Sequence, residues 1–218
     1  MKDGIIIMGV KERREREREQ RKTCILDTAR ALLLEKGLDA TSINQIAKLS
    51  EMSVGSIYFY YKNKEELFAE LQVEGLELLH QTICRAGDGE LTPEDKIRSI
   101  ARAYLRFSEE HKNYFDIINY FLTSPVTIFP PDLKDRIDSH GNASIFILTA
   151  VLQEGIDRGY FKKVDPRRQA IILWGTFHGM IQLKKLEKTI LSQNEHESLY
   201  MEALDRFLDG LRIPENSR

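Results

Sequence analysis

Proline is scarce and unevenly placed in this chain of 218 residues. Six prolines occur, none before Pro93, none between Asp132 and Asp165, and none between Arg167 and Ile213. Inside a helix, proline removes a hydrogen bond and clashes with the preceding turn, so proline-free stretches of this length leave room for long helices. Apolar residues recur in them at the 3.6-residue spacing of an amphipathic helix, with no convincing alternation of strand type and no internal repeat. The reading is an all-α fold of about nine helices.

Capping residues set the expected boundaries. Thr92-Pro93-Glu94-Asp95 places a hydroxyl at the N-cap, proline in the first turn and acid beside the helix N-terminus. Asp165-Pro166 repeats the device, Asn63 with Glu66 resembles a capping box, Ser53 is a candidate N-cap, and Gly37 and Gly159 stand where helices should stop. The predicted helices run from the charged arm to about Lys36, then over about Ser42–Ser50, Val54–Tyr61, Lys64–Cys84, Pro93–His111, Tyr114–Leu122, Leu133–Arg158, Pro166–Lys188 and Glu197–Leu211. A loop with Pro125, Pro130 and Pro131 interrupts them.

With 42% hydrophobic and 30% charged residues, the chain has an ordinary globular balance, and a net charge of −2 names no partner. Two cysteines, Cys24 and Cys84, are too few for a disulfide framework and fit a reducing cytoplasm. No apolar run approaches a membrane span. The apolar Gly4–Val10 is followed by a charged run with no small-residue cleavage site, so no signal peptide is expected.

The segment "SINQIAKLSEMSVGSIYFYYKNKEEL" carries the most information. Ile43, Ile46, Ala47, Met52, Ile57 and Tyr61 fall at core spacing, and a turn of three or four residues, "SEMS", separates two short helices, as in a helix-turn-helix. In the second of these, Val54, Ile57 and Tyr61 share one face, while Gly55, Ser56 and Phe59 point away and Tyr58 and Tyr60 flank them. Short side chains let a backbone approach base edges in the major groove, and hydroxyls suit phosphates. Charge supports this locally: Lys11 to Lys64 holds twelve Lys/Arg against eight Asp/Glu, leaving the remainder acidic. The arm "RREREREQ" also suits plain i,i+4 pairing on a solvated helix.

From about Thr23 to Leu71 the chain resembles the DNA-binding domain of the tetracycline-repressor (TetR) family. Ala29, Gly37, Thr41, Ile46, Ala47, Ser53, Gly55, Tyr58, Tyr60, Lys64 and Leu67 fall at the family's spacing. The resemblance implies a charged arm over 1–22 merging into the first helix, a DNA-binding domain over 23–70 and a ligand-binding and dimerisation domain over 71–218. It implies phosphate contacts from Thr41, Ser42, Tyr60 and Lys64, a phosphate or outer-base contact from Asn44, and base contacts from Val54, Gly55, Ser56 and Tyr58, with Ser53 opening that helix. One residue departs from the pattern: Glu51 stands where the turn usually carries glycine, and a left-handed conformation there strains a glutamate by roughly 1 kcal/mol.

For the larger half the resemblance implies a ligand pocket among the fourth to eighth helices. Tyr104, Phe107, Phe115, Asn119, Phe146, Trp174, Phe177 and His178 are its candidate residues; plain core packing is the competing reading for most of the rings. The walls lack a basic cluster, which favours an apolar or acyl-type effector over a multiply charged one. The last two helices are the expected homodimer interface, through Gly175, Gly179, Leu204, Phe207, Leu208 and Leu211. A two-fold dimer matches a palindromic double-stranded operator. The expected function is a ligand-responsive transcriptional regulator, a repressor released by a lipophilic effector. No catalytic residue, metal ligand, cofactor or membrane partner is expected, since HExxH, P-loop, GxSxG and CxxC patterns are missing. A helical adaptor and an enzyme are the alternatives.

Overall fold

In the computed structural model, which describes residues 9–37, 39–124, 129–187, 189–192 and 195–213, helices begin where short polar side chains cap them. Ser42 accepts from the Gln45 amide, Asn63 from Glu66, Thr92 from Asp95 and Asp165 from Arg168. The elements are α1 (Val10–Lys36), α2 (Ile43–Leu49), α3 (Val54–Tyr60), α4 (Lys64–Gly87), α5 (Pro93–Glu110), α6 (Lys112–Thr123), α7 (Pro131–Asp157), α8 (Pro166–Gln182) and α9 (His196–Leu211). Among the described residues these nine helices are joined by turns and no strand forms.

One boundary needs correction. α8 stops at Gln182 and tightens into a 3-10 turn over Leu183–Leu186. Leu183, Lys184 and Lys185 are all exposed, so no apolar face remains to be buried by continuing the helix. The expected end at Lys188, most of the apolar Gly4–Val10 stretch and Pro125 of the loop lie outside the described residues.

Two apolar clusters organise the chain. In the head, Ile25, Ala29 and Leu33 of α1 meet Ile46 of α2, Ile57 of α3 and Leu67, Phe68 and Leu71 of α4, all almost fully buried. In the body, α4 contributes Val73, Leu76, Leu79 and Ile83, packed with α5, α7, α8 and α9 around Phe107, Phe177 and Tyr200. Fully burying side chains of this kind stabilises by about 1.5–3 kcal/mol each. α4 therefore belongs to both cores, its first two turns to the head and its remainder to the body.

Leu204, Leu208 and Leu211 were expected on a dimer surface. They lie instead in the protomer's own core, at 0%, 0% and 5% exposure, because α9 turns that face toward α5 and α8. The end of α7 packs equally closely: a Cβ on Gly155 would stand 2.2 Å from the Phe161 ring.

Candidate DNA-reading face and effector cavity

The head is built around a tight turn. Glu51 has φ +55°, the left-handed conformation expected of a glycine position. The Met52 amide closes the turn onto the Ala47 carbonyl at 2.9 Å, and the Ser50 hydroxyl donates to the Ile46 carbonyl at 2.7 Å. The sequence therefore holds the turn in place despite the strain.

α3 is anchored by its inner face and open on its outer one. Ile57 is fully buried and Tyr61, just past the helix, is 3% exposed, whereas Val54, Gly55, Tyr58 and Phe59 are exposed. Val54, on the same side as Ile57 but at the first position of the helix, stays exposed. Ser53 caps the helix by accepting from the Ser56 amide at 3.0 Å, and the two hydroxyls pair at 2.8 Å. Tyr60 is half-buried with Phe59 edge-on at 5.3 Å. Ser42 and Asn44 are exposed at the start of α2.

Thr41 requires a correction. It is 1% exposed and its hydroxyl donates to the Gly37 carbonyl at 2.7 Å. It ties the end of α1 to the start of α2 instead of presenting a hydroxyl to phosphate. Lys64 is half-buried, and its ammonium donates to the Thr41 carbonyl at 3.0 Å while lying 5.9 Å from the Phe68 ring centre. In α1, Lys11 to Arg21 is exposed throughout, with Arg13 and Glu17 paired at 3.0 Å. Phe59 is exposed, as its outward position in the sequence implied, and exposed Leu49 widens the apolar edge of the head; the two are 72% and 60% exposed.

A cavity of about 630 Å³ opens between α4, α6, α7 and α8. Of the expected ligand residues, Tyr104 and Trp174 line it. Phe107, Phe115 and Phe177 are buried in the core beside it, and Phe177 stacks on Tyr200 at 5.2 Å. Phe146 is a correction: it is 70% exposed and lines no wall, because α7 directs Ser144 and Leu148 inward and residue 146 outward.

Asn119 and His178 stand behind Tyr104 in a polar chain. The Tyr104 hydroxyl is 3.0 Å from His178 Nδ1, His178 Nε2 is 3.2 Å from Asn119 Oδ1, and Gln182 Nε2 donates to that same oxygen at 2.9 Å. A neutral His178 fits this chain, with Nε2 donating to Asn119 Oδ1 and Nδ1 accepting from the Tyr104 hydroxyl. Burial lowers the His178 pKa and raises that of Tyr104. The sequence missed the α4 wall of Gln72, Leu76, Leu79 and Ile83, although the spacing of these residues places them on one helical face.

The family profiles decide what this arrangement belongs to. The family described as "Bacterial regulatory proteins, tetR family" matches residues 25–71, and "Tetracyclin repressor-like, C-terminal domain" matches residues 97–207. The chain belongs to the TetR family. It is a DNA-binding, ligand-responsive transcriptional regulator. Among similar TetR-family and other regulators is the uncharacterized HTH-type transcriptional regulator YhgD of Bacillus subtilis, 26% identical over 161 residues, covering 74% of this chain and 82% of that one. The Fatty acid metabolism regulator protein of Bacillus subtilis is 25% identical over 157 residues, covering 70% and 77%. The crystal structure of FadR from Bacillus subtilis in complex with stearoyl-CoA shares the fold at a TM-score of 0.72 and 21% identity, covering 86% of this chain and 98% of that one. No helix among the described residues is long and apolar enough to cross a membrane.

Proposed function

We propose that this TetR-family protein is a cytoplasmic, non-catalytic repressor that binds a palindromic operator as a homodimer and is released by an apolar or acyl-type effector. The observation that carries the DNA-reading part is the outer face of α3, where Val54, Gly55, Ser56 and Tyr58 surround a short-side-chain approach to base edges. Ser42, Asn44, Tyr60 and Lys64 are the proposed phosphate and outer contacts. The Lys64 ammonium would exchange part of its hold on the Thr41 carbonyl for phosphate. The domain division proposed is a head over 23–70, preceded by the arm, and a body over 71–218.

Dimerisation is supported by the exposed face of α8. Ile172 is exposed there, as is Leu183 of the 3-10 turn that follows, and a Cβ added to Gly175 or Gly179 would meet nothing within 4 Å. Each glycine costs a helix about 1 kcal/mol relative to alanine, yet nothing inside the protomer requires either. A closely approaching partner helix gives them a reason, joined by the half-buried Leu199, Ala203 and Phe207 of α9. The apolar cavity and the stearoyl-CoA bound by the FadR relative support a lipophilic effector.

The test is fluorescence anisotropy on duplexes from the DNA upstream of the gene, with sedimentation of the free protein. Sequence-selective binding by a dimer, weakened by 1-decanol, is the expected outcome. A helical adaptor would bind none of the duplexes, and a monomer at micromolar concentration would remove the dimer.

A further inference from the structure

Two residues of the cavity wall each carry a buried polar atom with no partner. Gln72 and Ser144 are 5% and 6% exposed, both line the cavity, and neither Gln72 Oε1 nor Ser144 Oγ makes a hydrogen bond. Buried polar groups are rarely left unpaired, and such exceptions point to a role for the group. Ser144 is the more telling. Helical Thr28, Thr82, Thr123, Thr149 and Thr176 all turn their hydroxyls back to the carbonyl four residues earlier. Ser144 does not.

The two atoms lie at different levels of the cavity. Glu70 of α4 meets Arg136 of α7, Glu77 meets His140, and Gly87 lies against Ile147, so the helices run parallel. Ser144 falls between the last two of these levels, and Gln72 falls between the first two. At 1.5 Å of rise per residue, the levels of Gln72 and Ser144 are separated by roughly 10–16 Å along the helix axis. The rest of the wall around them includes Leu76, Leu79, Ile83, Ile137 and Leu148. Of the charged residues on the lining, Lys134 pairs with Asp138 and Arg167 is exposed at the first turn of α8.

We propose that Gln72 and Ser144 are the two anchor points for the effector, and that the effector is an elongated apolar molecule with a neutral hydrogen-bonding group near each end. This rests on the reading of the cavity as the effector site. The unpaired Gln72 Oε1 only accepts, so an alcohol O–H or amide N–H satisfies it, while the Ser144 hydroxyl can pair with an alcohol, ketone or amide, and an ionised head group finds no buried cation. Specificity arises because a ligand lacking one end group leaves its anchor unpaired.

The single tryptophan, Trp174, lines the cavity, so its fluorescence reports occupancy directly. Binding of 1,10-decanediol, 1-decanol and sodium decanoate to the dimeric protein separates the possibilities. The diol is expected to bind at least about tenfold more tightly than the mono-alcohol, and Gln72→Leu or Ser144→Ala to erase that advantage while changing 1-decanol binding less than about twofold. Because each substitution removes an unpaired buried group, the unliganded variants should melt no lower than the wild type. Equal binding of diol and alcohol by the wild-type protein, or an advantage that survives both substitutions, overturns the anchors while leaving the cavity reading intact. Tighter binding of decanoate than of the diol overturns the neutral end groups. Failure of all three to alter Trp174 emission removes the cavity reading itself, and the anchors with it. Should a variant fail to fold, the wild-type comparison of diol with alcohol decides alone.

Discussion

Arg136 of α7 places its guanidinium 2.6 Å from Glu70 of α4, on the carboxylate whose other oxygen accepts from Lys22 of α1 at 2.7 Å. One carboxylate thus joins the head to the helix that forms a wall of the cavity. Burial alone raises the Glu70 pKa, but the hydrogen bonds from Lys22 and Arg136 outweigh it and hold the carboxyl below its usual range. An effector that shifts α7 pulls on this link, and α4 carries the shift between the two cores. Such a device moves an equilibrium only if the effector prefers one state over the other.

Arg136→Ala is expected to cost little stability, about 0.2–1 kcal/mol, because the pair is partly solvent-screened. It should nonetheless loosen the head. Amide exchange in α1 near Lys22 should speed up while exchange in α9 stays unchanged, as read by mass spectrometry. The contribution of Glu70 should be full above the unfolded carboxyl pKa, about 4.3, and be lost as pH falls through the lower folded value.

Glu51→Gly is expected to stabilise the protein. Relief of a left-handed glutamate is worth about 1–2 kcal/mol, offset in part by the greater freedom glycine gives the unfolded chain. A net gain of roughly 0.5–1 kcal/mol in denaturant unfolding is the expected result. An unchanged or lower midpoint would show that the φ of +55° carries no strain.

Gly155→Ala should do the reverse. The new methyl would meet the Phe161 ring at 2.2 Å, and that ring is 2% exposed between α7 and the end of α9. Overpacking of this kind costs about 1–3 kcal/mol, and Gly155→Ala combined with Phe161→Leu should lose less than the sum of the two single changes.

His178 supplies a pH signature. Burial lowers its pKa, so the unfolded chain takes up the proton more readily than the folded one as pH falls below about 6.5. Stability from neutral His178 is therefore full above that value and falls as pH drops toward the folded pKa. The difference in Tm between pH 7.5 and pH 5.5 should shrink in His178→Gln, and a difference unchanged by the substitution would place the titration elsewhere.

Much of the head was legible because its residues act at fixed short spacing. The caps at Ser53 and Asn63, the core positions Ile46 and Ile57, and the strained Glu51 each depend on neighbours within a few residues. Thr41 was not legible, since its burial depends on how α1 meets α2 across Gly37. The cavity was harder still. Aromatic composition pointed to Phe107 and Phe177, but a void forms where side chains fail to meet, and the emptied wall is the aliphatic face of α4. Apolar content likewise marked α9 without giving its direction, so Leu204 and Leu208 were placed outward when the protomer needed them inward.

The central claim is that the outer face of α3 reads DNA, and Gly55→Leu tests it most directly. A Cβ at position 55 comes no closer than 3.8 Å to the Ser53 hydroxyl, so the fold can accept the side chain, and leucine favours a helix more than glycine does. The expected result is a Tm equal to or above that of the wild type, with affinity for the upstream duplex reduced at least about a hundredfold by anisotropy at fixed salt. Undiminished, sequence-selective binding by a fully folded Gly55→Leu protein would contradict the claim.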